Sequence, residues 1–249
     1  MQRLIQLISS LILFFYCVQS MAFINVESIR NTSRLGHQGS LGFKINGAAG
    51  NSQTFTSQVT SQWMSKNVDE EYILLGNHSY GESFNEKNAN SGQLHFRYSR
   101  HWTESIYHEY YTQLEFDEFK ALELRKLLGA GLRFPFFEKE KFFFYNGSGF
   151  FYEEEEIKNA RAQKNLRSNI YFSLSYKINE SLNFSMVQYI QVLVNKIADF
   201  RLIHDLGFNL KATRSIHVVL QIKHSFDSRP PPTIKNTDFL YLTGLSYNF

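Results

Sequence analysis

The sequence predicts an all-β chain closed into a transmembrane antiparallel up-and-down β-barrel of about 12 strands, with both termini in the periplasm. Three observations carry this reading. Apolar and polar residues alternate with a period of two through nearly the whole chain after residue 22. The alternating segments are long, near or above the roughly 9–11 residues a tilted strand needs to cross a bilayer, whereas ordinary strands average about 5–6. The chain also ends on an aromatic residue, Phe249, with apolar or aromatic residues at alternate positions before it, apart from Thr243.

Composition narrows the field first. The chain has 249 residues, 24 Phe and 14 Tyr, against 4 Pro and 1 Cys, and a mean hydropathy of −0.31. A bundle of membrane helices is excluded, because each needs an apolar run of about 20 residues and none follows residue 22. Disorder is excluded by 43% hydrophobic residues at a net charge of only +3. The balance of 26 basic to 23 acidic residues carries no bias toward nucleic acid or an acidic partner.

Residues 1–22 have the parts of a cleaved secretory signal peptide. A basic start at Arg3 precedes the apolar run Leu4 to Val18 and the small-residue site Ser20-Met21-Ala22, with cleavage expected before Phe23. The alternatives are a retained anchor, for which the run is short, and a lipoprotein at Cys17, for which Tyr16 is too bulky. The mature chain, 23–249, is then a single barrel domain with no cysteine, so it has no disulfide and no thiolate chemistry.

Strands are expected at 39–48, 53–64, 70–80, 91–101, 104–115, 119–134, 141–153, 166–177, 181–193, 199–211, 213–226 and 237–249. The last two show the alternation most clearly: Ile216, Val218, Leu220, Ile222 and Phe239, Tyr241, Leu245, Tyr247 fall on single faces. Twelve is even, as bacterial single-chain barrels require. If the first strand runs outward, the periplasmic turns are mostly tight, and the long polar connections, 81–90, 154–164 and 227–236, face outward. The connections near Gly50 and Asp117 are short exceptions. A soluble sandwich would also alternate, but with shorter strands, more Gly and Pro in its turns, and fewer rings such as Trp63, Trp102 and Tyr241 at the ends of its apolar faces.

The terminal strand, with Tyr247 and Phe249, has the spacing by which the barrel-assembly machinery recognises its substrates. Further residues carry a resemblance to a family: Gly50-Asn51-Ser52, Phe96-Arg97-Tyr98, Leu124-Arg125 through Gly129-Ala130-Gly131-Leu132-Arg133, Gly147 to Tyr152, and Asp227 to Pro232. In this order and spacing the chain resembles the YdiY-like family of salt-induced outer-membrane proteins, a domain of unknown function. The resemblance implies an exported bacterial outer-membrane barrel of about this size, and it carries over no catalytic residue. The acidic run Glu153 to Glu156 is longer than the family leads one to expect, and reads as a solvated loop.

Alternation also assigns an interior. Opposite the apolar faces lie His95, Arg97, Glu109, Gln113, Glu115, Glu123, Arg125, Arg133, Arg201, Asp205 and Lys223. Ionised groups in a dry core cost several kcal/mol each, so these must be paired or wet. Arg97, Glu109, Glu123, Arg125, Arg133, Arg201 and Asp205 are therefore expected to form a lumen charge network. It either plugs a narrow lumen or lines a water-filled passage for ions or small solutes, and a role in envelope or salt stress is the companion reading. Gly129 and Gly131 would relieve crowding around Arg125 and Arg133 or permit curvature. The alternative class is an outer-membrane lipid-modifying enzyme or a surface-loop adhesin. Its candidate histidines, His78, His108, His204 and His224, face outward, and no Ser with an orienting acid stands beside any of them, so no catalysis is expected. No cofactor, metal or nucleic-acid motif is expected. The expected partners are outer-membrane lipid and lipopolysaccharide, with the assembly machinery during biogenesis.

Overall fold

The computed structural model describes residues 26, 30, 35–48, 53–103, 105–232 and 234–249. The expected signal peptide lies outside these. The described chain is a closed antiparallel barrel of twelve strands in sequence order. They are β1 (Gly36–Ala48), β2 (Thr54–Lys66), β3 (Glu70–Ser83), β4 (Glu86–Thr103), β5 (Ile106–Asp117), β6 (Leu122–Lys139), β7 (Phe142–Ile157), β8 (Gln163–Lys177), β9 (Leu182–Leu193), β10 (Phe200–Lys211), β11 (Ile216–Asp227) and β12 (Thr237–Asn248). Closure places Ser40 opposite Asn248 and Phe43 opposite Leu245. Gly39 and Phe249 complete the seam by exchanging backbone hydrogen bonds of 3.0 and 2.9 Å.

Every expected strand is present, and several run further than their alternation suggested. The region 81–90, read as a long loop, is a continuous hairpin. Phe84 and Asn85, both at positive φ (50° and 63°), make a two-residue turn between β3 and β4. The acidic run is likewise no loop: β7 continues through it to Ile157. Charged side chains hide these extensions from a hydropathy reading, because both faces of a strand that projects past an apolar band are polar. Outside the band, Lys126 pairs with Glu156 at 3.1 Å, and Lys87 and Asn90 hold the Glu118 carboxyl, in the turn after β5, below the usual carboxylate range.

The exterior is apolar. On β10 the outward positions read Phe200, Leu202, His204, Leu206, Phe208 and Leu210, and on β11 Ile216, Val218, Leu220, Ile222, His224 and Phe226. Large exposed side chains of the same parity continue around the wall, among them Phe43, Leu94, Leu128, Phe150 and Leu245. A tilted strand of this length presents a band about 25 Å tall, the height of a bilayer's apolar slab. Rings mark its rims, including the Tyr72–Tyr98 and Tyr98–Tyr110 pairs near one end and Phe200–Phe226 near the other.

Two ends are distinguished by their connections. One carries the tight turns at 67–69, 104–105 and 140–141; the other carries the longest connection, 228–236, and is called here the loop end. The β6–β7 pair is held closest by glycine. A Cβ on Gly149 would lie 2.2 Å from the Ala130 carbonyl oxygen, and one on Gly131 2.7 Å from that of Ser148. Both contacts are with backbone, which cannot swing aside. Gly149→Val is therefore expected to destabilise the barrel by about 1–3 kcal/mol, the usual cost of overpacking, read as a lower midpoint in urea unfolding from detergent. An unchanged midpoint would show that this sheet spreads freely.

Candidate functional site

The lumen is the candidate site, and its two walls differ. From β4 to β10 the inward side chains are mostly buried against one another. From β12 through β1 to β2 most are half-exposed: Ser40, Lys44, Thr60, Gln62, Leu242 and Ser246. Since the outward face of these strands looks away from the lumen, that exposure is to the interior space.

The packed wall is built in tiers. Toward the loop end, Glu153 is fully buried and receives three arginines: Arg167 Nε at 2.5 Å, Arg125 Nη2 at 2.9 Å and Arg201 Nη1 at 3.1 Å. Glu155 lies 3.3 Å from Arg125 and 3.0 Å from Arg201, Glu115 lies 3.6 Å from Arg125, Asp227 lies 2.8 Å from Arg201, and Asp199 lies 2.9 Å from Arg167. Lys120 is paired with Asp238. Toward the tight turns, Glu109 is the centre. It receives Arg30 at 2.9 Å, Arg97 at 3.3 Å and the Tyr171 hydroxyl at 2.6 Å, while Arg30 also reaches Glu71 at 2.5 Å. Arg133 lies over the Tyr145 ring at 3.8 Å. Each tier answers the desolvation of its charges by sharing its central carboxylate, Glu153 or Glu109, among several cations.

Between the tiers lies an aromatic belt. Arg97 is placed over Tyr111 at 5.1 Å and Tyr171 at 5.7 Å, and Tyr171 meets Tyr189 at 5.6 Å. The inner-face glycines exist for these rings. A Cβ on Gly129 would lie 2.2 Å from Tyr111, and one on Gly147 2.0 Å from Tyr171, so both rings lie flat on a floor of bare backbone. The crowding that Gly129 relieves is thus that of a tyrosine, not of Arg125 or Arg133.

Of the residues expected inside, Arg97, Glu109, Gln113, Glu115, Arg125, Arg133, Asp205 and Lys223 are buried inward, and Arg201 is half-buried with them. Asp205 stands opposite Lys223 in the β10–β11 ladder and accepts from Gln221 Nε2 at 2.8 Å. His95 Nδ1 is 3.0 Å from Gln113 Oε1. Glu123 is the exception: it is exposed, because the register slips between Leu122 and Leu124 and turns the residue between them off the inner face. Arg97 and Arg125, expected on one network, belong to separate tiers.

Several partners escaped the sequence reading. Glu153 and Glu155 are lumen residues, while Glu154 and Glu156 alternate outward. Arg167 lies in an expected strand, 166–177, but was not singled out as an inward charge. Arg30, helical in backbone, comes from before the first strand. Val26, also before the first strand, is buried with Met64, Ile73 and Leu75. Strand alternation cannot flag residues that lie in no strand. The outward histidines are outward here too, and His204 and His224 stack side by side at 5.4 Å.

An apolar exterior around a polar, charge-lined interior defines an inside-out β-barrel. The chain belongs to DUF481, a family of proteins of unknown function, whose model matches residues 39–249. No curated protein matches the chain. Among solved structures, the translocator domain of the autotransporter NalP from Neisseria meningitidis is similar with a TM-score of 0.49 at 11% identity, covering 90% of this chain and 93% of that one. The NanC porin aligns with a TM-score of 0.47 at 10% identity over 85% and 96% of the two chains, and the KdgM porin with 0.46 at 8% over 86% and 99%.

Adjacent acids of one strand make the tier testable. Glu153→Gln leaves three buried arginines short of charge and is expected to cost about 3–5 kcal/mol, whereas Glu154→Gln, on the outer face, should change stability by about 0.5 kcal/mol or less. Urea midpoints of the two variants check this, and equal losses would contradict the tier.

Proposed function

We propose that the protein is a bacterial outer-membrane barrel that conducts ions or small solutes along the β12–β1–β2 wall of its lumen. The observation that carries this is the contrast between walls. Most of the charges that could plug the lumen are gathered and paired on one side, while half-exposed Ser40, Thr60, Gln62 and Ser246 leave the other side lined mainly by uncharged polar groups, with Lys44 and Leu242 among them. A wall of hydroxyls and amides hydrates readily, and a hydrated wall is what a conducting barrel requires. Buried oxygens without a partner, such as Gln58 Oε1, Ser91 Oγ and Gln93 Oε1, add to this, since buried polar atoms of that kind call for water.

The membrane assignment follows from the apolar band: a continuous ring of Phe, Leu, Ile and Val at these heights is stable only against hydrocarbon. In this reading residues 1–22 are the export signal and 23–249 the barrel domain. The tight turns and both termini are periplasmic, lipid and lipopolysaccharide surround the wall, and Tyr247 with Phe249 form the assembly signal. The exposed alternate face of β12 (Tyr247 53% and Phe249 67% exposed) suits such recognition. In this reading the protein serves envelope adaptation without catalysis, which the resemblance to salt-induced outer-membrane proteins supports.

Two measurements test this. Unboiled protein from outer membranes should migrate ahead of the boiled form on a denaturing gel; identical migration, with the protein recovered in the soluble periplasm, overturns the membrane assignment. Planar bilayers containing the folded protein should show stepwise conductance, and silence at all voltages would rule out the passage.

A further inference from the structure

Part of the inner face near the tight turns is apolar. Met64 of β2 stands opposite Ile73 of β3, Leu75 follows at the next inward position, and all three have no exposed surface although they point into the lumen. Apolar side chains on a face that borders water stay dry only under a cover. Val26, itself 2% exposed, packs with them in one cluster.

One inward position nearer the tight turns is a rank of acceptors at a single height. Glu71 stands opposite Ser99 in the β3–β4 ladder, and Ser99 opposite Glu109 in the β4–β5 ladder. Arg30 lies along this rank: Nε donates to Glu71 at 2.5 Å, and Nη2 donates to the Ser99 hydroxyl and to Glu109, each at 2.9 Å. A side chain that meets the inward groups of three successive strands comes from inside the barrel. The chain before β1 therefore passes through the lumen at Arg30, and at Val26 it is deeper, against the next two inward positions of β3. Its seat borders the open wall, because Met64 and Gln62 are successive inward residues of β2.

We propose that residues 26–30 form a removable plug that narrows the lumen at its tight-turn end, an inference that rests on the passage proposed above. The contacts favour a plug over a fixed part of the wall. Glu109 does not depend on Arg30, since Arg97 at 3.3 Å, the Ser99 hydroxyl at 3.2 Å and the Tyr171 hydroxyl at 2.6 Å also donate to it. Glu71 and Arg30 both line the 870 Å³ cavity at the tight-turn end, so water can take over their charges when they part. Release then costs one ion-pair cluster at a wet mouth and the cover of one apolar notch, while the strand ladders stay whole.

Two readouts on the full protein test this. The first is labelling of Val26→Cys by a small maleimide, in a Cys17→Ser background that removes the chain's only cysteine. In the folded protein the rate should be about tenfold or more below that of the urea-unfolded chain. The second is single-channel conductance in planar bilayers. Conductance follows the open cross-section at the narrowest point, so a chain lacking residues 26–30 should conduct roughly twofold or more above the wild type. Gel mobility before and after boiling shows whether each variant has folded, and if the deletion does not fold, Arg30→Ala replaces it with the same expected direction. Folded protein whose Val26→Cys labels at the unfolded rate overturns the plug, and so does a conducting wild type whose conductance the release variant leaves unchanged; the passage survives both. A silent wild type beside a conducting release variant upholds the plug and overturns conduction by the resting protein. Silence of both folded proteins overturns passage and plug together.

Discussion

Glu153 is the acid on which the interior is organised. It has no exposed surface, and it accepts from arginines of three different strands, β6, β8 and β10. A buried carboxylate with one partner would be a liability, since desolvation of the pair rivals its attraction. With three, and with Glu155 and Asp227 returning negative charge to Arg201, the lattice binds the wall from β6 to β11 into one unit. That half of the barrel can therefore be dense and charged together. The cost is geometric: the lattice fixes which side of the lumen is filled, and the other side must be closed by small residues or left open.

The glycines of β6 and β7 complete the same division. Tyr111 from β5 and Tyr171 from β8 lean inward from either flank onto Gly129 and Gly147. Four strands thereby contribute only two rings' thickness to the lumen. Any larger residue on that floor would push both rings toward β1. Arg97 then lies over both rings and Glu109 binds Arg97, so the second tier inherits its position from the tyrosines. Arg30 and Val26 add to this tier from before the first strand, which makes the tight-turn end narrower than the strands alone would leave it.

The strands were legible in the sequence for a simple reason: the two faces of a barrel wall have different solvents, so the period of two is written into hydropathy. Ile216 to Phe226 shows it without a break. Legibility failed where the contrast between faces vanishes. In 153–156 four identical acids alternate between lumen and exterior, and only the partners, arginines inside and lysines outside, tell them apart. Glu123 failed differently, because a one-residue slip changes face without changing composition. The lumen charges were readable as inward, but their division into tiers was not: Arg97 and Arg125 are separated by the slant and register of the strands, a property of the closed sheet and of no single segment. Tyr111 and Tyr171 look like ordinary wall residues until the glycines opposite them are seen in three dimensions.

The same distinction bears on how a lumen of this size can discriminate among solutes. A wide pore needs rings of like charge, because water and salt screen any one residue within about 10 Å. In the proposed passage the path lies against the open wall, where a polar group is within contact distance of whatever passes. The charges of the packed wall hold one another in place, and in the proposed passage the solute meets the few polar groups facing the open side. Their scarcity gives them weight: on the β12–β1–β2 wall the half-exposed inward residues Ser40, Thr60, Gln62, Leu242 and Ser246 are uncharged, and Lys44 stands among them.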